Sequence, residues 1–305
     1  MNPEILDVKD CLVLIALRRV SSISRVASEL GISQPAVSQR ILLMEERLGC
    51  CLVHRGQGRS RVSLTAKGLQ AEDVARRVIS MLGSLSDELN GAVGVISGKV
   101  HVATVYSLGL HSLAGPIRQY LEDVPSAELD IEYMRTDRVY ESVLSGESDV
   151  GVVACAKDQR GLTIIPWIRE PMVLVASPNF RSSLTGPFNL ADLQHIPYIA
   201  FSEGIPTRAL VDDVLRRAGV HVDIRKNYDN IETLKRTIEL GFGVSFLPKT
   251  TVLRELRDGV LCEWKIDTLE FMRPCGVLLP EGKPLSRATL AWIRILCPST
   301  DVSAT

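Results

Sequence analysis

The stretch that most constrains this chain spans residues 24–64 and opens SRVASELGISQPAVSQRILLMEERLG. Residues 25–30 read as a short amphipathic helix, and the glycine that follows, Gly31, suits the positive φ of a tight turn. A second helix opens at Ser33, a side chain that can cap it, with Pro35 in the first turn, where a missing N–H costs little. Two helices joined by so short a turn predict a helix-turn-helix. Val37, Ile41, Met44 and Leu48 recur at helical spacing and face a core. Gln34, Ala36, Ser38, Gln39 and Arg40 remain for the outside, short or flexible and mostly polar. Gln pairs bidentately with adenine, Arg with guanine, and Ala touches a thymine methyl, so Ser33, Gln34, Pro35, Ala36, Ser38, Gln39 and Arg40 are the candidate groove contacts. On two helices alone the plainer reading, a solvated helix start, stays open.

Charge favours the groove. Residues 1–68 hold ten Lys and Arg against six Asp and Glu, although the whole chain is at −1. Arg55, Arg59 and Arg61 flank Gly56 and Gly58 with no acid between Leu52 and Thr65, which reads as a two-stranded wing whose arginines meet phosphates.

The run ASELGISQPAVSQRILLMEERLG, followed by LVHR and then VSLTAKG, resembles the winged helix-turn-helix signature of the LysR-type transcriptional regulators. The family usually carries paired alanines where this chain has Val26-Ala27, and Leu-Phe where it has Leu52-Val53. Both departures fall at core positions, so they touch packing rather than the groove.

A length of 305 residues, 46% of them apolar and 23% charged, predicts two or three globular units with ample core. No basic segment leading into a cleavable apolar run opens the chain, and no stretch approaches 18 uncharged apolar residues. The expectation is an unexported, cytoplasmic protein that does not span a membrane. Seven cysteines are scattered without a CxxC or a His at metal spacing, so most are expected to be small buried hydrophobes and no metal or cofactor is expected. The resembled family includes redox sensors, which makes oxidation at Cys155 or Cys262 the alternative reading of the same architecture. Neither has a cationic cluster nearby in sequence to lower its pKa.

Ile5, Val8, Leu12 and Ile15 predict a supporting first helix. From Thr65 to about Asn90 runs a long helix without proline, in which Ala71, Val74, Val78, Met81, Leu85 and Leu89 follow alternating steps of three and four. A stripe buried on the chain's own body and a helix–helix seam both fit. The DNA-reading neighbour favours a twofold dimer, and the resemblance implies that this helix is the dimer linker. Gly91, Gly94 and Gly98 mark the join to a further domain.

Beyond the join, short apolar runs alternate with helices: strands at 100–105, 127–133 and 149–155 with helices at 109–121 and 139–144, then strands at 198–201, 222–227 and 243–247 with helices at 206–218 and 231–240. This predicts βαβ units with a mostly parallel sheet in two lobes. Residues 162–176 lead out of the first lobe, 270–279 lead back, and a helix at 285–296 ends the domain. The expected fold class is therefore α+β and multi-domain. It comprises a winged helix-turn-helix over 1–64, a linker helix over 65–93, and a two-lobed α/β domain over 94–305, which the resemblance implies is an effector module like a periplasmic binding protein. Lobe I takes about 98–168 and 270–300, and lobe II about 169–269.

Ligands of such folds sit at strand C-terminal ends against helix N-termini. That selects Thr104 and Ser107 after the first strand, Ser202, Thr207 and Arg208 in the second lobe, and Asn230 and Thr233 at the next helix. The resemblance supports Ser107, Ser202 and Thr207 as inducer contacts, and Arg208 adds a partner for a carboxylate or phosphate. Simple helix capping accounts for each hydroxyl singly. No catalytic residue is named: the five histidines lie far apart, and there is no HExxH, GxSxG elbow, P-loop or GxGxxG after a strand. The reading is a DNA-binding regulator, not an enzyme. Its expected partners are double-stranded promoter DNA, a small polar or anionic metabolite, RNA polymerase, and its own copies as a dimer and then a tetramer.

Overall fold

The computed structural model describes residues 6–55, 62–89, 96–182, 189–266 and 271–299. They fall into two compact units, one built on the residues up to Ile96 and one on those from Ser97, with Ser145–Glu147 and Pro284–Arg287 grouped with the first.

The first unit packs α1 (Val8–Val20), α2 (Ile23–Leu30) and α3 (Gln34–Leu48) around Leu14, Leu17, Val26, Val37, Ile41 and Met44, all buried. Asp7 and Asp10 cap α1 reciprocally, each carboxylate accepting the other's backbone N–H. Gly31 ends α2 at φ +64°, and Ser33 Oγ caps α3 by accepting from the Ala36 N–H at 3.3 Å. Strands β1 (Val53–Arg55) and β2 (Val62–Leu64) pair antiparallel. Glu45 fixes them to α3: its carboxylate accepts from the N–H groups of Leu52 and Val53 at 2.7 and 3.1 Å.

Helix α4 (Ala66–Leu89) is capped at Thr65, whose Oγ1 accepts from the Gly68 N–H at 2.9 Å and donates to the Cys51 carbonyl at 2.7 Å. Ala75 is buried in the helix-turn-helix core, and Ala71 and Ile79 pack against it. Val74, Val78, Met81 and Leu85 stay exposed on the other side, so Ala71 leaves the seam and the rest of the stripe faces outward. The side chain of Leu89 and the glycines at 91 and 94 lie outside the described residues.

The second unit begins with β3 (Gly98–Thr104), a π-helical turn (Leu108–Ser112), α5 (Ala114–Asp123), β4 (Ala127–Tyr133), α6 (Thr136–Ser145) and β5 (Val150–Ala154). The long strand β6 (Leu162–Ala176) leaves this first lobe. Lobe II follows with α7 (Pro178–Ser182), a 3-10 turn (Leu190–His195), β7 (Pro197–Phe201), α8 (Pro206–Arg217), β8 (Asp223–Tyr228), α9 (Ile231–Glu239), β9 (Ser245–Pro248), α10 (Lys249–Arg257) and β10 (Cys262–Trp264). Strand β11 (Met272–Pro280) returns to lobe I, and α11 (Arg287–Leu296) sets Trp292 edge-on against Tyr120 of α5.

The sheets depart from the mostly parallel expectation. Only β3 with β4 and β5, and β7 with β8, pair parallel among the named strands. β11 runs antiparallel to both β5 and β6, while β9 and β10 run antiparallel to the far half of β6. The cause is the double crossing: one strand goes out and one comes back, so they pair head to tail, and β6 is long enough to serve both lobes. The helix expected at 109–121 is broken into the π-helical turn and α5. No sequence pattern marks helix α10, KTTVLRELR, since Thr250, Thr251 and Val252 are β-branched and weak helix formers; buried Val252 and Thr251 hold it in place.

Candidate functional site

On α3, Gln34, Pro35 and Gln39 are exposed, Ala36 and Ser38 half-buried, and Ser33 is committed to its cap. Arg40 turns back toward α1. Its Nη1 donates to both oxygens of Asp7 at 3.0 and 3.1 Å and to buried Asp10, while Arg47 stands 3.9 Å from the other Asp10 oxygen. The guanidinium therefore ties the recognition helix to the start of α1. Leu42 and Leu43, two leucines off the core spacing, are exposed on α3. Arg55 closes β1, whereas Arg59 and Arg61, like the side chain of Arg55, lie outside the described residues.

In the second unit, Val105, Tyr106, Ser107, Met134, Arg135, Thr136 and Asp137 of lobe I face Phe201, Gly204, Ile205, Asp229, Asn230 and Ile231 of lobe II across a cavity of about 210 Å³. Tyr106 stacks on Tyr133 at 5.7 Å. Arg273 sits where Ser107 and Thr207 converge: its Nη1 donates to Ser107 Oγ at 3.1 Å and to Thr207 Oγ1 at 3.3 Å. Its Nε and Nη2 donate to Glu170 Oε2, the first at 2.9 Å. Glu170 Oε1 in turn accepts from Ser112 of lobe I and from Thr250 of lobe II at 2.7 Å. Burial opposes the Glu170 charge, but the Arg273 guanidinium and these hydroxyls outweigh it and hold the carboxyl below its ordinary value. A second interlobe link joins His111 Nε2 to Glu232 at 2.9 Å.

Arg273 and Glu170 are not among the residues that the sequence singles out. A lone arginine in MRPCGVLLP and a glutamate inside a 15-residue strand were the signals, since a charge at 1% exposure demands a partner.

The other expected contacts are placed differently. Thr104 is fully buried and donates to the Val152 carbonyl, within the sheet. Arg208 is held by Asp212 at 2.7 Å and by the Phe201 carbonyl at 2.9 Å. Asn230 lines the cavity and caps α9, accepting from the N–H groups of Glu232 and Thr233. The Thr233 carbonyl accepts from Thr237, and Ser202 reaches Asn227 at 3.5 Å. The N–H groups of Leu108 and Gly109, at the start of the π-helical turn, both donate to the Val105 carbonyl.

Burial pushes the thiol of Cys155 up, with Arg273 and Lys157 only partly opposing it, which disfavours a reactive thiolate. Cys262 donates to the Ala176 carbonyl at 3.3 Å. Among the described residues no His, Cys, Asp and Glu gather in a metal-holding group, and no helix is long and apolar enough to cross a membrane.

Two family models cover the chain: the lysR-family bacterial regulatory helix-turn-helix over residues 8–69 and the LysR substrate binding domain over residues 94–298. A probable RuBisCO transcriptional regulator of Synechocystis is 24% identical over 94% of this chain and 84% of its own length. A full-length OxyR variant from Pseudomonas aeruginosa superposes with a TM-score of 0.76 at 19% identity, covering 95% of this chain and 97% of that one. Full-length CbnR complexed with its target DNA gives a TM-score of 0.69 at 19% identity, over 97% and 100%. Such relatives are regulators, not enzymes. The chain belongs to the LysR family of bacterial DNA-binding transcriptional regulators.

Proposed function

We propose that α3 enters the major groove with Gln34, Ala36, Ser38 and Gln39 at base edges, while the wing arginines Arg55, Arg59 and Arg61 meet phosphates. Exposed polar side chains at the start of α3 support this, together with the likeness to a regulator solved on its DNA. The outward stripe Val74, Val78, Met81 and Leu85 then pairs two copies, and dimers assemble further into tetramers that meet RNA polymerase in the cytoplasm.

The effector site is the interlobe cleft. One observation carries this: residues of both lobes wall one cavity, and Ser107, which lines it, shares a single guanidinium nitrogen of Arg273 with Thr207 of lobe II. A ligand that contacts both lobes favours one lobe arrangement by its differential affinity, and so biases the DNA-binding halves. The test is a thermal-shift screen of the full chain against small metabolites, repeated on Ser107→Ala and Thr207→Ala. A true effector raises the midpoint by the equivalent of about 2.7 kcal/mol at a hundredfold excess over Kd, and both variants reduce the shift. A shift left intact by both variants places the ligand elsewhere.

A further inference from the structure

Granted that the cleft is the effector site, its charges disclose the chemistry of the ligand, because they are unequally committed. The cationic and N–H groups at hand for an anion are already engaged. Arg208 is neutralised by Asp212, Arg273 by Glu170, and the N–H groups of Leu108 and Gly109 by the Val105 carbonyl. Of the ionisable side chains lining the cavity, Arg135 lies 3.6 Å from Asp137, whereas Asp229, on the facing lobe, has no ion pair among the described residues. One cation against two carboxylates leaves the lining net negative. Tyr106, 42% exposed and braced by Tyr133, presents a ring face that attracts a cation. Phe201, Ile205 and Ile231 supply apolar wall.

We infer that the cleft takes a small metabolite carrying an alkylammonium group, held at the carboxylate of Asp229, with its methylenes against Phe201 and Ile231. Of the small polar or anionic metabolites that the sequence suggests, this favours a polar cation. The cavity, about 210 Å³, admits a ligand the size of a short diamine or a basic amino acid. The two share the ammonium group, and only the amino acid adds a carboxylate for Arg135.

Isothermal titration of the full chain with cadaverine, L-lysine and glutarate tests the inference. At least one amine is expected to bind, glutarate is not, Asp229→Asn weakens amine binding tenfold or more, and Asp229→Glu retains most of it. Lysine binding above cadaverine identifies an amino acid, and equal binding a diamine. Binding of glutarate alone, no binding of any probe at millimolar concentration, or amine binding indifferent to Asp229→Asn overturns the inference. Ile205→Trp and Ser107→Trp, which fill the cavity, separate the two claims. If they abolish binding that Asp229→Asn leaves intact, the cleft stands and the charge class falls; if binding survives them, the cleft reading itself falls.

Discussion

Glu170 and Arg273 stand opposite each other in the β6–β11 ladder, each 1% exposed, and between them they engage two hydroxyls from each lobe. The pair sits where β6 stops pairing with β11 and starts pairing with β9 and β10. A desolvated ion pair adds little net stability over an apolar pair, but losing one partner strands a buried charge. Arg273→Met is therefore expected to cost about 3–5 kcal/mol in chemical denaturation. The double variant Glu170→Leu with Arg273→Met recovers most of that loss yet uncouples the lobes. A double variant as unstable as the single one contradicts this account.

The same pair makes stability depend on acid. Glu170 has a folded-state pKa below its ordinary 4.5, so the unfolded chain binds its proton first. Its contribution is complete above that ordinary value and fades as pH falls through the folded one. Thermal midpoints are expected to drop below about pH 4.5, and Glu170→Gln to flatten this part of the profile. An identical slope in the variant rules out Glu170 as the source.

Gly68 illustrates a steric demand that no side chain can meet. A Cβ there would stand 2.0 Å from the Leu52 carbonyl oxygen, whereas one at Gly83, on the same helix, meets nothing within 4 Å. Gly68→Ala is expected to destabilise the first unit by about 3 kcal/mol or more, and Gly83→Ala to stabilise α4 by roughly 0.5–1 kcal/mol. Thermal denaturation of both variants distinguishes the close approach from simple helix propensity.

The outward stripe of α4 gives a prediction about assembly. Val78 and Leu85, exposed in the single chain, become buried in the proposed dimer. Val78→Glu with Leu85→Glu is expected to halve the mass seen by light scattering and to weaken DNA binding through lost avidity. An unchanged mass places the dimer seam elsewhere.

The local grammar of the first unit was legible because caps and turns act within a few residues: Ser33, Pro35 and Gly31 sit in the expected element ends. The lobes were legible as alternating strands and helices, but the direction of the crossing strands was not, since strand pairing is a long-range matter. Of the expected effector residues, Ser107 and Thr207 meet at Arg273, while Thr104 is spent inside the sheet and Arg208 on its own helix. Glu170 and Arg273 are 103 residues apart, and no local pattern announces a pair formed at that distance. The bond between Arg40 and Asp7 is hidden for the same reason, because Asp7 lies 33 residues upstream.

The most direct test of the account is equilibrium DNA binding by the full chain, comparing a duplex selected from a random pool with random duplex. Gln39→Ala is expected to weaken binding to the selected duplex by about 1–3 kcal/mol and to leave random duplex nearly unchanged. Arg40→Ala, which strands buried Asp10, is expected to lower the thermal midpoint and weaken both duplexes alike. If Gln39→Ala lowers affinity for both duplexes equally, or for neither, α3 does not read bases and the central claim is wrong.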